Sequence, residues 1–133
     1  MGTYLCFEVM MPGEHRTGAG NERVDLLSCD TKGLWRFYEL KVTKADFHSK
    51  CKHTFLGHYN YFVMPFELFE QVKHEIPIEV GCYVSDDNRC WCIKKARNMP
   101  LRIDENKLKF SFTQALSRQH EKYMRLLKNM GGA

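Results

Sequence analysis

Apolar side chains along the chain follow two spacings, every second residue in some stretches and every third or fourth in others, and the switches between them delimit the elements. YLCFEVMM, starting at Tyr4, is dense in strand formers and predicts a first strand that stops at Pro12. ERVDLLSC and LWRFYELKV predict two more strands around DTKG, a hairpin turn by composition. From Ala45 the spacing becomes helical to about His53, and HYNYFVM returns to strand. Pro65 opens a short helix, PFELFEQVKHE, at the first helical position, where a missing N–H costs nothing. GCYVSDD and RCWCIKKA make a further strand pair across Asp86, Asp87 and Asn88. Asp104 then caps a long amphipathic helix over about 104–130, its apolar side running Leu108, Phe112, Leu116, Tyr123, Leu127, with Gly131 beyond its end. The expected architecture is an α/β (α+β) fold, a mixed sheet with helices against it. No repeat or linker divides the chain, so one domain over 1–133 is expected, with a core of about 4–96 ahead of the C-terminal helix.

The third strand carries an anomaly. Residues two apart on a strand share a face, so Phe37, Glu39 and Lys41 point one way and Tyr38, Leu40 and Val42 the other. The element order puts this strand at the centre of the fold, where charge costs burial energy unless something requires it. If Thr31, Lys32 and Gly33 form a three-residue loop, Gly33 takes the left-handed position such a loop requires. Asp30 then pairs with Leu34, and Asp25 falls opposite Glu39. A loop one residue shorter or longer would send Asp25 to the other face. Two facing carboxylates with a lysine one step along suit a hard cation such as Mg²⁺, which takes one or two carboxylates and keeps its waters. The lysine could orient a water or neutralise charge on a phosphodiester in attack. A cross-strand ion pair on a half-solvated sheet has the same spacing, and spacing alone leaves both readings open.

Composition narrows the context. The chain has 133 residues, 44% of them hydrophobic and 13% aromatic, enough for a globular core. No apolar run approaches the roughly 18 residues of a membrane span, and MGTYLCFEV lacks the form of a secretory signal, so a cytoplasmic protein without a membrane partner is expected. The six cysteines are expected to be reduced thiols. Cys82, Cys90 and Cys92 lack the C-x2-C knuckle of a zinc site and predict core filling. His48, His53 and His58 are five apart, which on a helix turns their rings away from one another. With Lys and Arg at 20 against Asp and Glu at 16, attraction to polyanions must come from local patches. One is KVTKADFHSKCKH, with Lys41, Lys44, Lys50 and Lys52; the other puts Arg118, Lys122 and Arg125 on one side of the last helix.

The pattern D-x13-E-x-K formed by Asp25, Glu39 and Lys41, on a hairpin followed by a helix and another strand, resembles the PD-(D/E)XK nuclease superfamily. The longer string RVDLLSCDTKGLWRFYELKVTKADFHSKCK, then YNYFVMP and EIPIEVGCYVSDD, resembles its MmcB-like branch, a group associated with DNA repair and also encoded by phages. The likeness runs from about Phe7 to about Arg118. It implies a restriction-endonuclease-like core, a mixed central sheet flanked by helices, with Asp25 and Glu39 as ligands of Mg²⁺ or Mn²⁺ and Lys41 as the catalytic lysine. The implied activity is metal-dependent hydrolysis of DNA phosphodiesters in repair, recombination or phage DNA processing. DNA would be the partner, and a homo-oligomer or a larger DNA-processing complex the assembly. Two departures stand out: Val24 replaces the motif's proline, and the chain begins with a strand where members usually have a helix that often supplies an acid. Glu8, in CFEVMM, matches the acidic position of the branch's first strand and is the candidate third ligand. Lys44, Lys50 and Lys52 are the expected phosphate contacts, joined by Arg16 if the glycine-rich PGEHRTGAGNE loop, which also holds His15, covers bound DNA. No base-reading motif is present, so little sequence specificity is expected. The alternative is a DNA-binding or complex-forming protein that keeps the nuclease fold without cutting.

Overall fold

The computed structural model describes residues 2–11, 23–49 and 55–131. Six strands form one mixed sheet whose spatial order follows the sequence: β1 (Thr3–Met10), β2 (Arg23–Asp30), β3 (Trp35–Leu40), β4 (Tyr59–Pro65), β5 (Gly81–Ser85) and β6 (Cys90–Lys94). β1, β2 and β3 are antiparallel, β3, β4 and β5 run parallel, and β6 returns antiparallel to β5. Parallel neighbours need crossovers. Helix α1 (Lys44–Phe47) lies on the first, and α2 (Phe66–Val72) with a 3₁₀ turn at Lys73–Glu75 on the second. The long α3 (Glu105–Met130) closes the fold.

The β2–β3 hairpin forms as its glycine requires. Gly33 has φ of 81° and donates to the Asp30 carbonyl at 3.0 Å, while the Asp30 N–H donates to the Leu34 carbonyl at 3.2 Å. The Asp30 carboxylate also accepts from the N–H groups of Lys32 and Leu34. The ladder runs from Cys29 opposite Trp35 to Leu26 opposite Tyr38 and ends there, one step short of Asp25 and Glu39.

Parallel register then fixes which residues share a face. Phe37 is paired with Asn60, Glu39 with Phe62, and Phe62 with Cys82. This is the face that the helices cover. Trp35 and Phe37 pack with Leu108, Phe112 and Ala115 of α3, and Phe62, Met64, Cys82 and Val84 pack with Phe47 of α1 and Leu68, Phe69 and Val72 of α2. Asn60 is fully buried there and satisfied by both backbone groups of Gly57. A Cβ on Gly57 would lie 2.6 Å from the Phe37 ring, so only glycine fits. The opposite face carries Tyr38 and Tyr61 with ring centres 5.3 Å apart, Tyr83 beside them, and Arg36 over Tyr59. Burial, with Tyr83 close by, pushes the Tyr61 hydroxyl up to about 12.

Four details differ from the sequence reading. α1 begins at Lys44, one residue early, because Thr43 caps it, and it stops at Phe47; residues 50–54 lie outside the described residues. Pro65 ends β4 and caps α2 instead of opening it. Gly131 keeps a right-handed φ of −65°, its N–H simply continuing the helix ladder to Leu127. The apolar side of α3 is buried only over its first turns. Leu108, Phe112 and Ala115 meet the sheet, whereas Leu116, Tyr123 and Leu127 are exposed, Tyr123 at 58%. A helix of 26 residues is about 39 Å long, while the eight-residue β1 that it follows spans about 27 Å. α3 therefore outruns the sheet.

Candidate functional site

The charged face of β3 is built from its C-terminal end outward. Glu39 and Lys41 are each 6% exposed. The Lys41 N–H donates to the Val63 carbonyl at 2.9 Å, carrying the parallel pairing one residue beyond the strand. The chain then turns at once into α1. Thr43 Oγ1 accepts from the Asp46 N–H at 3.1 Å, and Asp46 reaches back: Oδ2 accepts from the Val42 N–H at 3.0 Å and Oδ1 stands 3.8 Å from Lys41 Nζ. Asp46 thus positions the lysine. The sequence reading missed it, although Thr43-x-x-Asp46 has the form of a capping box.

Asp25 reaches the same end from the neighbouring strand. Its Oδ2 accepts from the Leu40 N–H at 2.8 Å, the amide between Glu39 and Lys41 in sequence. Carried on to this point, the hairpin ladder would have supplied a β2 backbone carbonyl for that amide. Here the carboxylate takes its place, and Asp25 lies against the β3 backbone. Glu8 is abreast of Asp25 on β1, since Phe7 is paired with Leu26 and Val9 with Val24. Its φ of 54° is rare for a non-glycine residue and breaks the strand's alternation, so that Cys6 and Val9, three apart, are both buried. The Glu8 side chain is exposed, 4.0 Å from Arg23. Among the described residues, no three or more His, Cys, Asp or Glu side chains gather closely enough to hold a metal ion. Glu8 and Asp25 are abreast by backbone register, and with Glu39 they form no cluster of three carboxylates.

What Asp25 and Glu39 offer is hard oxygen donors from two strands, one half-buried and one buried. Carboxylate oxygens are the donor type a Mg²⁺-type ion takes, one or two at a time with waters completing its shell.

Lys44 is exposed at the start of α1. Lys50, Lys52 and Arg16, with the rest of the PGEHRTGAGNE loop and His53, lie outside the described residues. Arg118, Lys122 and Arg125 are exposed on α3, Arg118 still beside the sheet, where the next residue, Gln119, donates to the Phe7 carbonyl of β1. Of the histidines spaced five apart, the remaining pair go to separate partners: His48 Nε2 lies 2.8 Å from Glu75 Oε1, and His58 Nδ1 accepts from the Trp35 N–H at 2.9 Å. Cys82 is buried, which pushes its thiol up to about 12, but Cys90 and Cys92 on the outermost strand are exposed. Core filling therefore holds for Cys82 and not for the other two.

No protein-family model matches the chain, and no curated protein does. Among solved structures, the SPO1766 protein of unknown function from Silicibacter pomeroyi is similar, with a TM-score of 0.65 at 19% identity over 99% of this chain and 84% of that one. At that identity the likeness shows the fold alone: an α+β domain with a six-stranded mixed sheet and a long C-terminal helix. Among the described residues, no helix is long and apolar enough to cross a membrane.

Proposed function

We propose that this chain is a divalent-metal-dependent DNA nuclease of PD-(D/E)XK type, acting in repair, recombination or phage DNA processing in the cytoplasm, alone or within a larger DNA-processing complex. The observation that carries this reading is a buried charged end on a central strand: Glu39 and Lys41 at 6% exposure, with the Asp25 carboxylate against the amide between them. In this reading Asp25 and Glu39 hold one Mg²⁺ or Mn²⁺ ion. The chemistry such an ion would supply there is Lewis-acid stabilisation of charge on the phosphodiester. The Leu40 N–H orients the Asp25 carboxylate. Lys41, set by Asp46, is the group that stabilises the negative charge building on the attacked phosphate. Lys44, exposed just beyond, contacts a neighbouring backbone phosphate.

One observation favours the second reading, a DNA-binding or complex-forming protein that does not cut. Asp25 already spends one oxygen on the Leu40 N–H, and no third acid joins it among the described residues. The experiment that separates the two incubates purified protein with single-stranded, duplex, nicked and branched DNA, with Mg²⁺ or Mn²⁺ and with EDTA. Metal-dependent cleavage that EDTA stops, and that Asp25→Asn or Glu39→Gln removes from a folded protein, is the expected result. Binding without cleavage of any substrate would leave the second reading.

A further inference from the structure

Because β3, β4 and β5 are parallel, their C-terminal ends lie on one edge of the sheet. Glu39 and Lys41 occupy that edge on β3. Two strands away, beyond Pro65 and Ser85 at the ends of β4 and β5, a cleft of about 480 Å³ opens between the start of α2 and the β5–β6 turn. Its walls mix two aromatic rings with charged side chains: the Phe66 and Trp91 ring centres are 6.1 Å apart at 31°. The Arg89 guanidinium lies 4.6 Å from the Trp91 ring centre. The turn that carries Arg89 is braced, since Asp86 accepts from the N–H groups of Asn88 and Arg89 and from Arg89 Nε. Glu67 and Asp87 complete the polar lining.

We infer that this cleft is a subsite for one unpaired nucleobase with an amino edge, stacked on the exposed Phe66 ring beside Trp91, a few nucleotides from the phosphate attacked beside Lys41. The inference rests on the nuclease reading for its location and deepens it by naming the substrate class, DNA with an unpaired base near the cleavage point. Flat aromatic walls select a flat ligand, because every base has a π-face to stack. The carboxylates oppose a bare phosphate and accept hydrogen bonds from N–H groups, which favours the amino groups of cytosine, adenine and guanine over the carbonyl-rich edge of thymine. An arginine side chain from a protein partner is the competing occupant of an acidic aromatic cleft, and the peptide probe below decides against or for it. Strand spacing puts β5 about 10 Å from β3. That is about three stacked base steps.

The test reads Trp91 fluorescence in EDTA, where no cleavage intervenes. Trp35, 1% exposed, is the constant background. The probes are the single-stranded hexamers d(C)6, d(A)6 and d(T)6, a hexamer of abasic sugar phosphates, and a short arginine-rich peptide. Expected are saturable quenching by d(C)6 and d(A)6, about threefold or more weaker binding of d(T)6, and no quenching by the abasic hexamer. Phe66→Ala, at an exposed position, should weaken d(C)6 by about tenfold. Trp91→Phe should abolish the signal while anisotropy of labelled d(C)6 shows binding retained. Equal affinity for abasic and base-bearing hexamers, unchanged d(C)6 affinity in folded Phe66→Ala and Trp91→Ala proteins, or preference for the peptide would each overturn the inference. Asp25→Asn must leave the quenching intact. Quenching in a protein that cuts nothing removes only the nuclease reading, and cleavage in a protein whose quenching is absent removes only the subsite.

Discussion

Trp35 and Phe37, in the first half of β3, are 1% and 0% exposed, and Glu39 and Lys41, at its far end and on the same face, are each 6% exposed. The two halves match in burial and differ in what burial does. A buried aromatic side chain contributes about 1.5–3 kcal/mol through the water it sheds. A buried charge costs several kcal/mol of lost hydration, which partners offset only in part. The difference teaches that half of one strand works for the fold and half is held in place by it. Phe37 packs in the α3 cluster, while the Lys41 ammonium depends on Asp46 from α1.

Mutations on the two halves should therefore separate stability from activity. The largest effect is expected from Phe37→Ala, about 3–5 kcal/mol in denaturant unfolding, because it hollows the core beside Gly57. A cost below about 1 kcal/mol would erase the distinction. Lys41→Met should do the reverse. Cleavage should fall about 100- to 1000-fold, or ~2.7–4 kcal/mol in the barrier, as for loss of one transition-state-stabilising group, while the unfolding midpoint holds or rises because an apolar chain replaces a buried charge. Cleavage at the wild-type rate would make the charged end a structural feature.

Thr43→Ala removes the cap that sets Asp46 and should cost about 1 kcal/mol. It should also reduce cleavage less than Lys41→Met does, since the lysine remains. An equal loss of cleavage would mean that Asp46 does more than position. The smallest effect is expected from Leu127→Ala on the overhanging turns of α3, within about 0.5 kcal/mol. A larger loss would show that something covers those turns in solution.

The hairpin was legible because its information is local. Gly33 dictates the loop, the loop dictates the register, and the register holds as far as Leu26 opposite Tyr38, one step short of Asp25 and Glu39. The third strand's central place followed from the order of elements, and the Asp104 cap from one residue before an apolar period. Asp46 was nearly legible, hidden by starting α1 one residue late.

Other features were beyond any window of sequence. That Asp25 spends its carboxylate on the Leu40 amide depends on where two strands part. That the amphipathic side of α3 is buried at Phe112 and bare at Tyr123 depends on the length of a strand more than a hundred residues earlier. The Phe66–Trp91 cleft exists because a parallel crossover and an antiparallel return end at the same edge. Turn chemistry, alternation and caps are energies of neighbouring residues and can be read along the chain. Burial, overhang and clefts are energies of residues far apart in sequence, and they take their values only once the sheet has set which of them meet.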